Sequence, residues 1–96
     1  MQKNRALIVD DEADIRELLS LTLQRMGLDT DCAAGEFEAL QLMKKHSYDL
    51  CLTDMRLPDG DGLKLLEHVS RNYTTMPVAV ITAHGNMETA ILAMKL

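Results

Sequence analysis

Apolar residues along this chain fall into short runs separated by longer amphipathic segments. Residues 6–9, 50–53 and 78–81 form runs of the length expected for strands buried on both faces of a sheet. Residues 28–34 alternate polar and apolar side chains. They predict an edge strand, whose exposed acids would discourage pairing with other chains.

The segments between these strands carry apolar residues at helical spacing. Residues 13–26 predict a first helix that ends at Gly27, a residue suited to the left-handed position after a helix. Residues 36–46 predict a second helix, a third follows the loop at 55–62, and residues 87–96 predict a fourth. The positions expected on the inner faces are Ile15, Leu18, Leu19, Thr22, Leu23 and Met26, then Phe37, Leu40 and Met43, then Leu63, Leu66 and Val69, and last Ala90, Ile91 and Met94.

Strands and helices that alternate in this way predict the α/β class, with a parallel sheet and right-handed crossovers. We expect the doubly wound, flavodoxin-like strand order 2-1-3-4. Its switch point lies between the first and third strands, and ligands bind there at the carboxyl ends of the strands.

Composition narrows the possible functions. The 96 residues suffice for one domain, with 15 acidic against 10 basic side chains and a net charge of -5. No basic stripe is present, which argues against direct nucleic-acid binding. The first nine residues resemble neither a signal peptide nor a membrane span, so we expect a cytoplasmic protein without membrane association.

The cysteines and histidines offer no metal-binding pattern. Cys32 and Cys51 fit neither a metal spacing nor a disulfide framework, and both are expected to be small buried thiols in strands. His46, His68 and His84 also lack ligand spacing.

Polar residues terminate the three apolar runs. The first run leads into Asp10 and Asp11, the second ends at Asp54, and the third ends at Thr82. Because the carboxyl ends of neighbouring parallel strands meet at one edge of the sheet, we expect these side chains to converge. Gathered carboxylates repel one another unless a cation or a shared proton offsets their charge.

A hard divalent cation such as Mg²⁺, which prefers oxygen ligands, would suit this cluster. A carboxylate beside Mg²⁺ and a hydroxyl is equipped to attack a phosphoryl group and to hold the acyl phosphate, with Asp54 as the nucleophile. The structural alternative is that Asp11 or Glu12 caps the first helix while Asp54 begins a turn. A nucleotide or flavin site is disfavoured because the first loop offers acids rather than glycines. Arg56 disfavours an Asp-x-Asp phosphatase.

Three segments carry a family resemblance that extends over the whole chain: residues 9–12 (VDDE), 53–62 (TDMRLPDGDG) and 81–83 (ITA). They resemble the CheY-like receiver domain of bacterial two-component response regulators. Arg56 and the loop at 82–85 resemble the nitrogen-regulator class, especially regulators of type IV pilus genes. In that class the receiver precedes an AAA+ ATPase that acts on sigma-54 polymerase and a helix-turn-helix domain, and neither is expected within these 96 residues.

The resemblance implies specific roles for the acids. Asp54 would accept a phosphoryl group from a sensor histidine kinase. Asp11 and Asp54 would bind Mg²⁺ together with the backbone carbonyl of Arg56, and Asp10 would hold the ion through water.

It also implies a switch. The hydroxyl of Thr82 would bind a phosphoryl oxygen and draw its loop inward. Arg56, Ala83 and His84, which flank the pocket, would tune hydrolysis of the acyl phosphate.

The family pattern continues with a fifth strand, an active-site lysine and a fifth helix, whereas Lys95 falls in the predicted fourth helix and does not match that lysine. Residues 1–96 are therefore expected to be a receiver truncated before the fifth βα unit, with no active-site lysine of its own. The uncovered sheet face and the free edge of the strand at 78–81 predict a homodimer or a higher oligomer.

Three functions follow. The leading hypothesis is a non-enzymatic phospho-acceptor that regulates an attached output domain, of the sigma-54-dependent activator class. The second is a phosphorylation-impaired receiver that serves as a dimerisation module. The third, a metal-dependent phosphohydrolase, lacks a second acid/base pair.

Overall fold

The computed structural model describes residues 4–73, 76–82 and 90–95, with side chains as far as Ile81. Ten elements follow one another along the chain. They are β1 (Arg5–Val9), α1 (Ala13–Arg25), β2 (Asp29–Ala33), α2 (Glu36–Lys45), β3 (Leu50–Asp54), β4 (Arg56–Leu57), β5 (Gly60–Asp61), α3 (Gly62–Asn72), β6 (Val78–Thr82) and β7 (Ala90–Lys95).

The main sheet has the strand order β2-β1-β3-β6-β7, and its first four strands are parallel. The predicted α/β class and the order 2-1-3-4 are confirmed, with β6 as the fourth predicted strand. Cys51 of β3 lies between Leu7 of β1 and Val78 of β6. Because β3 has a parallel neighbour on each side, its last residue emerges near the middle of the carboxyl edge.

The predicted fourth helix is wrong where the structure describes it. Residues Ala90–Lys95 form β7, antiparallel to β6, with Ala90 opposite Thr82 and Lys95 opposite Val78. The rest of that prediction, residues 87–89 and 96, lies outside the described residues. A short apolar segment fits a strand as well as a helix, and the free N–H and C=O groups along the edge of β6 favour a strand. This edge, expected to be free, is therefore paired.

The other predicted elements form with shifts of a few residues at their ends. Gly27 has φ 91° and ends α1 in the left-handed conformation, as predicted. The loop after β3, predicted as a turn, contains the two-stranded hairpin β4–β5. Asp61 then caps α3 by accepting a hydrogen bond from the N–H of Lys64 at 2.7 Å. Within the described residues, no helix is long and apolar enough to cross a membrane.

The two faces of the sheet carry separate cores. α2 and α3 cover one face, which we call the two-helix face, and α1 covers the other, the one-helix face. The buried cluster on the two-helix face comprises Leu7, Val9, Ala33, Ala39, Met43, Tyr48, Cys51, Leu57, Leu65, Val69, Met76 and Val78. The buried cluster on the one-helix face comprises Ala6, Ile8 and Leu23, against which Leu19, Leu28, Cys32, Leu50 and Leu52 pack while partly exposed. Outside these clusters, Ala79 and Val80 of β6 are also buried, on opposite faces of the sheet.

Several residues expected on inner helix faces are exposed. In α1 these are Leu18, Thr22 and Met26, because the predicted stripe is broader than the strip of helix that contacts the sheet. In α2 Phe37 is exposed in the first turn. In α3 the prediction was wrong by part of a turn: Leu65 is fully buried with Val69, whereas Leu63 is exposed.

The strand residues also depart from the expectation of burial on both faces. Leu50, Leu52 and Ile81 are half-buried, as is Cys32, because α1 alone does not cover the one-helix face. Cys51, on the two-helix face, is fully buried as predicted.

Candidate functional site

The carboxylates of Asp10, Asp11 and Asp54 meet at the carboxyl edge of the sheet. One oxygen from each lies within 4.8 Å of the others. Val9 pairs with Thr53 in the parallel register, so the next residue of each strand carries its carboxylate to the same place. The predicted convergence of these three acids is confirmed.

Asp10 is the most buried member of the cluster, with 8% of its surface exposed. Its Oδ1 accepts a hydrogen bond from the N–H of Glu12 at 2.9 Å. Burial raises the pKa of the Asp10 carboxyl, the Glu12 hydrogen bond lowers it, and the nearby charges of Asp54 and Asp11 raise it further. The net effect is a raised pKa for Asp10, as expected for a largely buried carboxyl group that has other carboxylates nearby.

Arg16 of α1 holds the main chain beside this cluster. Its Nη1 donates to the carbonyl oxygen of Asp10 at 2.7 Å. The guanidinium therefore fixes the turn between β1 and α1 and leaves the Asp10 carboxylate available. Sequence reasoning missed this role, although a basic side chain one turn into the helix was visible.

Asp54 is half-buried at the end of β3. Its Oδ1 accepts a hydrogen bond from the N–H of Met55 at 2.8 Å. From the part of the chain that the structure describes, no donor reaches the other carboxylate oxygen, Oδ2. One oxygen is thus oriented by the main chain and the second is open to a ligand.

The capping alternative receives little support. Glu12 occupies the N-cap position of α1, but its side chain makes no capping hydrogen bond there. The Asp54 side chain accepts from the N–H of the next residue, Met55, whereas in an Asx turn it would accept from the residue two positions on. This local bond accounts for one oxygen of Asp54 and does not explain the approach of Asp10 and Asp11.

The hairpin after Asp54 approaches the site closely. The N–H of Gly62 donates to the carbonyl of Met55 at 2.8 Å. A Cβ on Gly62 would collide with the carbonyl oxygen of Asp54, so this position requires glycine. Arg56 lies in β4 opposite Asp61, with its side chain exposed.

Sequence reasoning also missed Asp59, at the tip of this hairpin. Its carboxylate accepts hydrogen bonds from the N–H groups of Glu36 (2.7 Å) and Phe37 (2.9 Å) at the start of α2. The bonds from Phe37 and Glu36 lower the pKa of the Asp59 carboxyl. A signal was present, since Gly35 precedes α2 and has no side chain with which to cap it.

Comparison with known proteins identifies the family. The model of the response regulator receiver domain matches residues 6–96. This chain belongs to the response regulator receiver family.

Relatives of this receiver include several named regulators. The response regulator protein PilR of Pseudomonas aeruginosa is 55% identical over 95 residues, which are 99% of this chain and 21% of PilR. The regulatory protein AtoC of Escherichia coli is 39% identical over 92 residues, which are 96% of this chain and 20% of AtoC. The receiver therefore spans about a fifth of the length of these relatives.

Solved receivers share the fold. The response regulator TrrA of Thermotoga maritima, crystallised in complex with Mg²⁺–BeF, gives a TM-score of 0.80 at 34% identity. The match covers 85% of this chain and 71% of TrrA. The chemotaxis response regulator CheY4 of Vibrio cholerae gives 0.79 at 29% identity, over 88% and 72% of the two chains.

The remaining predicted site residues lie at the edge of the described part of the chain or outside it. The backbone of Thr82 ends β6, one residue after Ile81, which pairs with Asp54. Ala83 and His84 lie outside the described residues. Lys95 was expected in a helix, but its backbone lies in β7 opposite Val78, at the end of β6 remote from Asp54.

Proposed function

We propose that Asp54 is the phospho-acceptor of this receiver and that a sensor histidine kinase is the donor. The observation that carries the proposal is the approach of Asp10, Asp11 and Asp54 within 4.8 Å, in a chain of the receiver family. Asp54 suits the role because its carboxylate lies in the cluster and only its Oδ1 is held by a hydrogen bond among the described residues, from the N–H of Met55.

The donor set fits a hard divalent cation. Three carboxylates supply oxygen ligands within 4.8 Å of one another, and a cation would relieve their mutual repulsion. Burial first, and then the charges of Asp54 and Asp11, raise the pKa of Asp10. Asp11 and Asp54 would hold Mg²⁺ directly with the backbone carbonyl of Arg56, and Asp10 would hold it through water. When bound, Mg²⁺ would supply positive charge against the phosphoryl oxygens. TrrA, crystallised in complex with Mg²⁺–BeF, supports this choice of ion.

The transfer is a displacement at phosphorus. A carboxylate oxygen of Asp54 attacks, the new P–O bond forms, and the P–N bond of the phosphohistidine breaks. The departing imidazole nitrogen takes up a proton. The product is an acyl phosphate on Asp54, so the chain is a phospho-acceptor in a signalling pathway rather than an enzyme with turnover.

Phosphorylation would act on a switch and on an output domain. The hydroxyl of Thr82 would bind a phosphoryl oxygen, and Arg56, Ala83 and His84 would tune hydrolysis. Residues 1–96 would be the receiver of a longer regulator of the sigma-54-dependent class, in keeping with the named regulators among its relatives. Assembly as a homodimer or higher oligomer stays a prediction. The incompletely covered one-helix face favours it, whereas the free edge that also motivated it is occupied by β7.

Intact mass spectrometry tests this function. After incubation with Mg²⁺ and a small-molecule phosphodonor, we expect one phosphoryl group per chain, none on Asp54→Asn, and none when Mg²⁺ is chelated. Phosphorylation of Asp54→Asn would show that another residue accepts the group. No phosphorylation of the unaltered chain would favour the phosphorylation-impaired dimerisation module.

The same incubation separates an acceptor from a phosphohydrolase. An acceptor releases phosphate in proportion to the amount of phosphorylated chain, and a hydrolase would continue to release it after each chain had turned over many times. We expect the stoichiometric result.

A further inference from the structure

The hairpin β4–β5 is fastened at its tip to the second helix. The two hydrogen bonds from Glu36 and Phe37 to the Asp59 carboxylate satisfy main-chain donors that α2 leaves unpaired at its start. The helix thus receives its N-cap from a segment 23 residues further along the chain. A carboxylate in this position also benefits from the positive end of the helix dipole.

Glycines on both sides permit this close approach. A Cβ on Gly35 would lie 2.6 Å from Oδ1 of Asp59, and a Cβ on Gly60 would collide with the carboxylate of Glu36. Gly35 has φ -165°, an extended conformation that any residue adopts, so its only requirement is the space beside Asp59. The start of α2 and the tip of the hairpin therefore each have a glycine where they contact the other segment.

The base of the same hairpin is fixed at the acid cluster. Gly62 donates to Met55 and lies against the carbonyl of Asp54, and Leu57 is buried in the core of the two-helix face. Arg56 lies between the anchored residues Met55 and Leu57, and Leu57 separates it from the tip. Its main chain is two residues from Asp54, in a strand of two residues that pairs with β5 in the described part of the chain.

We propose that Asp59 is a positioning residue for the cation site, because its cap on α2 fixes the main chain of Arg56, whose carbonyl is a proposed ligand. This inference rests on the proposed function. Without the cap, the hairpin is held by Leu57 and by its base alone, and the carbonyl loses part of its preorganisation. The coupling is reciprocal, so cation binding stabilises the two hydrogen bonds to α2.

Mg²⁺ affinity measured by calorimetric titration tests the proposal. We expect Asp59→Ala to raise the Kd by up to about fivefold, the limit reached when the whole free energy of a helix cap is coupled to cation binding. Gly35→Ala should have a similar effect, because its Cβ displaces the Asp59 carboxylate while every charge in the chain is kept.

Two control variants separate positioning from charge. Asp59→Asn removes the charge but keeps an oxygen that caps a helix well. Asp49→Ala removes an equal charge and a carboxylate that accepts the N–H of Arg5 at 2.9 Å, before β3 and away from the acid cluster. Both should bind Mg²⁺ within about twofold of the unaltered chain.

Amide hydrogen exchange distinguishes a cap that is coupled to the cation site from a cap that only stabilises α2. In the unaltered chain, Mg²⁺ should slow exchange at Glu36 and Phe37, and in Asp59→Ala it should not. The double variant Gly35→Ala/Asp59→Ala should bind Mg²⁺ no more weakly than Asp59→Ala, because both changes break one contact.

The outcomes distinguish the two proposals. No Mg²⁺ binding by the unaltered chain would overturn the proposed function and this inference with it. Equal Mg²⁺ affinity in the unaltered chain and in folded Asp59→Ala would overturn this inference alone, as would a loss in Asp59→Asn equal to that in Asp59→Ala. Circular dichroism establishes that each variant is folded.

Discussion

The two faces of the central sheet differ in how completely they are closed. Among the described residues, twelve buried residues from the sheet, both helices and the loops form one cluster on the two-helix face. The corresponding cluster on the one-helix face has three buried members, and the residues packed against it remain partly exposed. A groove lined by Ile15, Leu18, Leu19, Leu52 and Ile81 runs beside α1 and opens next to Asp10 and Asp54.

The acid cluster lies on the less closed face of the sheet. Side chains alternate along β3, so Cys51 and Thr53 point to the two-helix face while Leu52 and Asp54 point to the one-helix face. The acid cluster therefore belongs to the less closed side. The closed side supplies a rigid base for the strands, and the open side leaves the carboxylates accessible.

Thiol reactivity gives the largest expected difference between the faces. Ile8 pairs with Cys32 and Leu7 pairs with Cys51, so the two thiols flank β1 on opposite faces. In the native chain, an aromatic disulfide reagent should label Cys32 at least about 100-fold faster than Cys51, because Cys51 must wait for an opening that costs about 3 kcal/mol. The native Cys32→Ser variant should therefore react at the slow rate of Cys51 and should react rapidly only in denaturant. Equal labelling rates for the two thiols would contradict the closed core.

Cavity formation gives the next difference. Leu7 and Ile8 are adjacent and both fully buried, and they point to opposite faces. Leu7→Ala should lower the free energy of unfolding by about 4 kcal/mol and Ile8→Ala by about 2 kcal/mol, because the less closed face can relax around the cavity. Urea unfolding measures both values, and matching m-values would show that the unfolded states are comparable. A larger loss in Ile8→Ala would reverse the comparison.

The fold was predictable from sequence where a local pattern and a general rule agree. Apolar runs of strand length predicted β1, β3 and β6, alternation of polar and apolar residues predicted β2, and the rule for doubly wound sheets predicted their order. The segment that forms β7 was mispredicted, since Ala90–Lys95 carries no decisive period and its partner edge exists only in the folded sheet. The inner faces of the helices were partly mispredicted, because the contact with the sheet sets which residues are buried.

The acid cluster was predictable for a related reason. A parallel register places residues that follow paired strands side by side, so Asp10, Asp11 and Asp54 could be expected together from strand ends alone. The contacts of Asp59 with α2 could not, because they join segments that are distant in sequence and depend on the exact path of a hairpin. The chemical roles of the site residues remain predictions that phosphorylation and Mg²⁺ binding would test.

Alkaline unfolding compares the same pair of thiols through the pH dependence of stability. Burial raises the pKa of Cys51 from its ordinary value of 9.0 to about 12. The folded state thus holds this proton more tightly than the unfolded chain, so the stabilisation is complete below about pH 9 and is lost as pH rises towards 12. The expected slope is about 1.4 kcal/mol per pH unit.

The two cysteine variants separate this effect from that of Tyr48. Burial and the hydrogen bond to Asp31 also raise the pKa of Tyr48, which adds a loss of stability at high pH that is common to all variants. Cys51→Ala should therefore be less stable at neutral pH but should have a flatter profile between roughly pH 9 and 11, whereas Cys32→Ala should keep most of the slope. Parallel profiles for the two variants would show that the two faces protect their thiols equally.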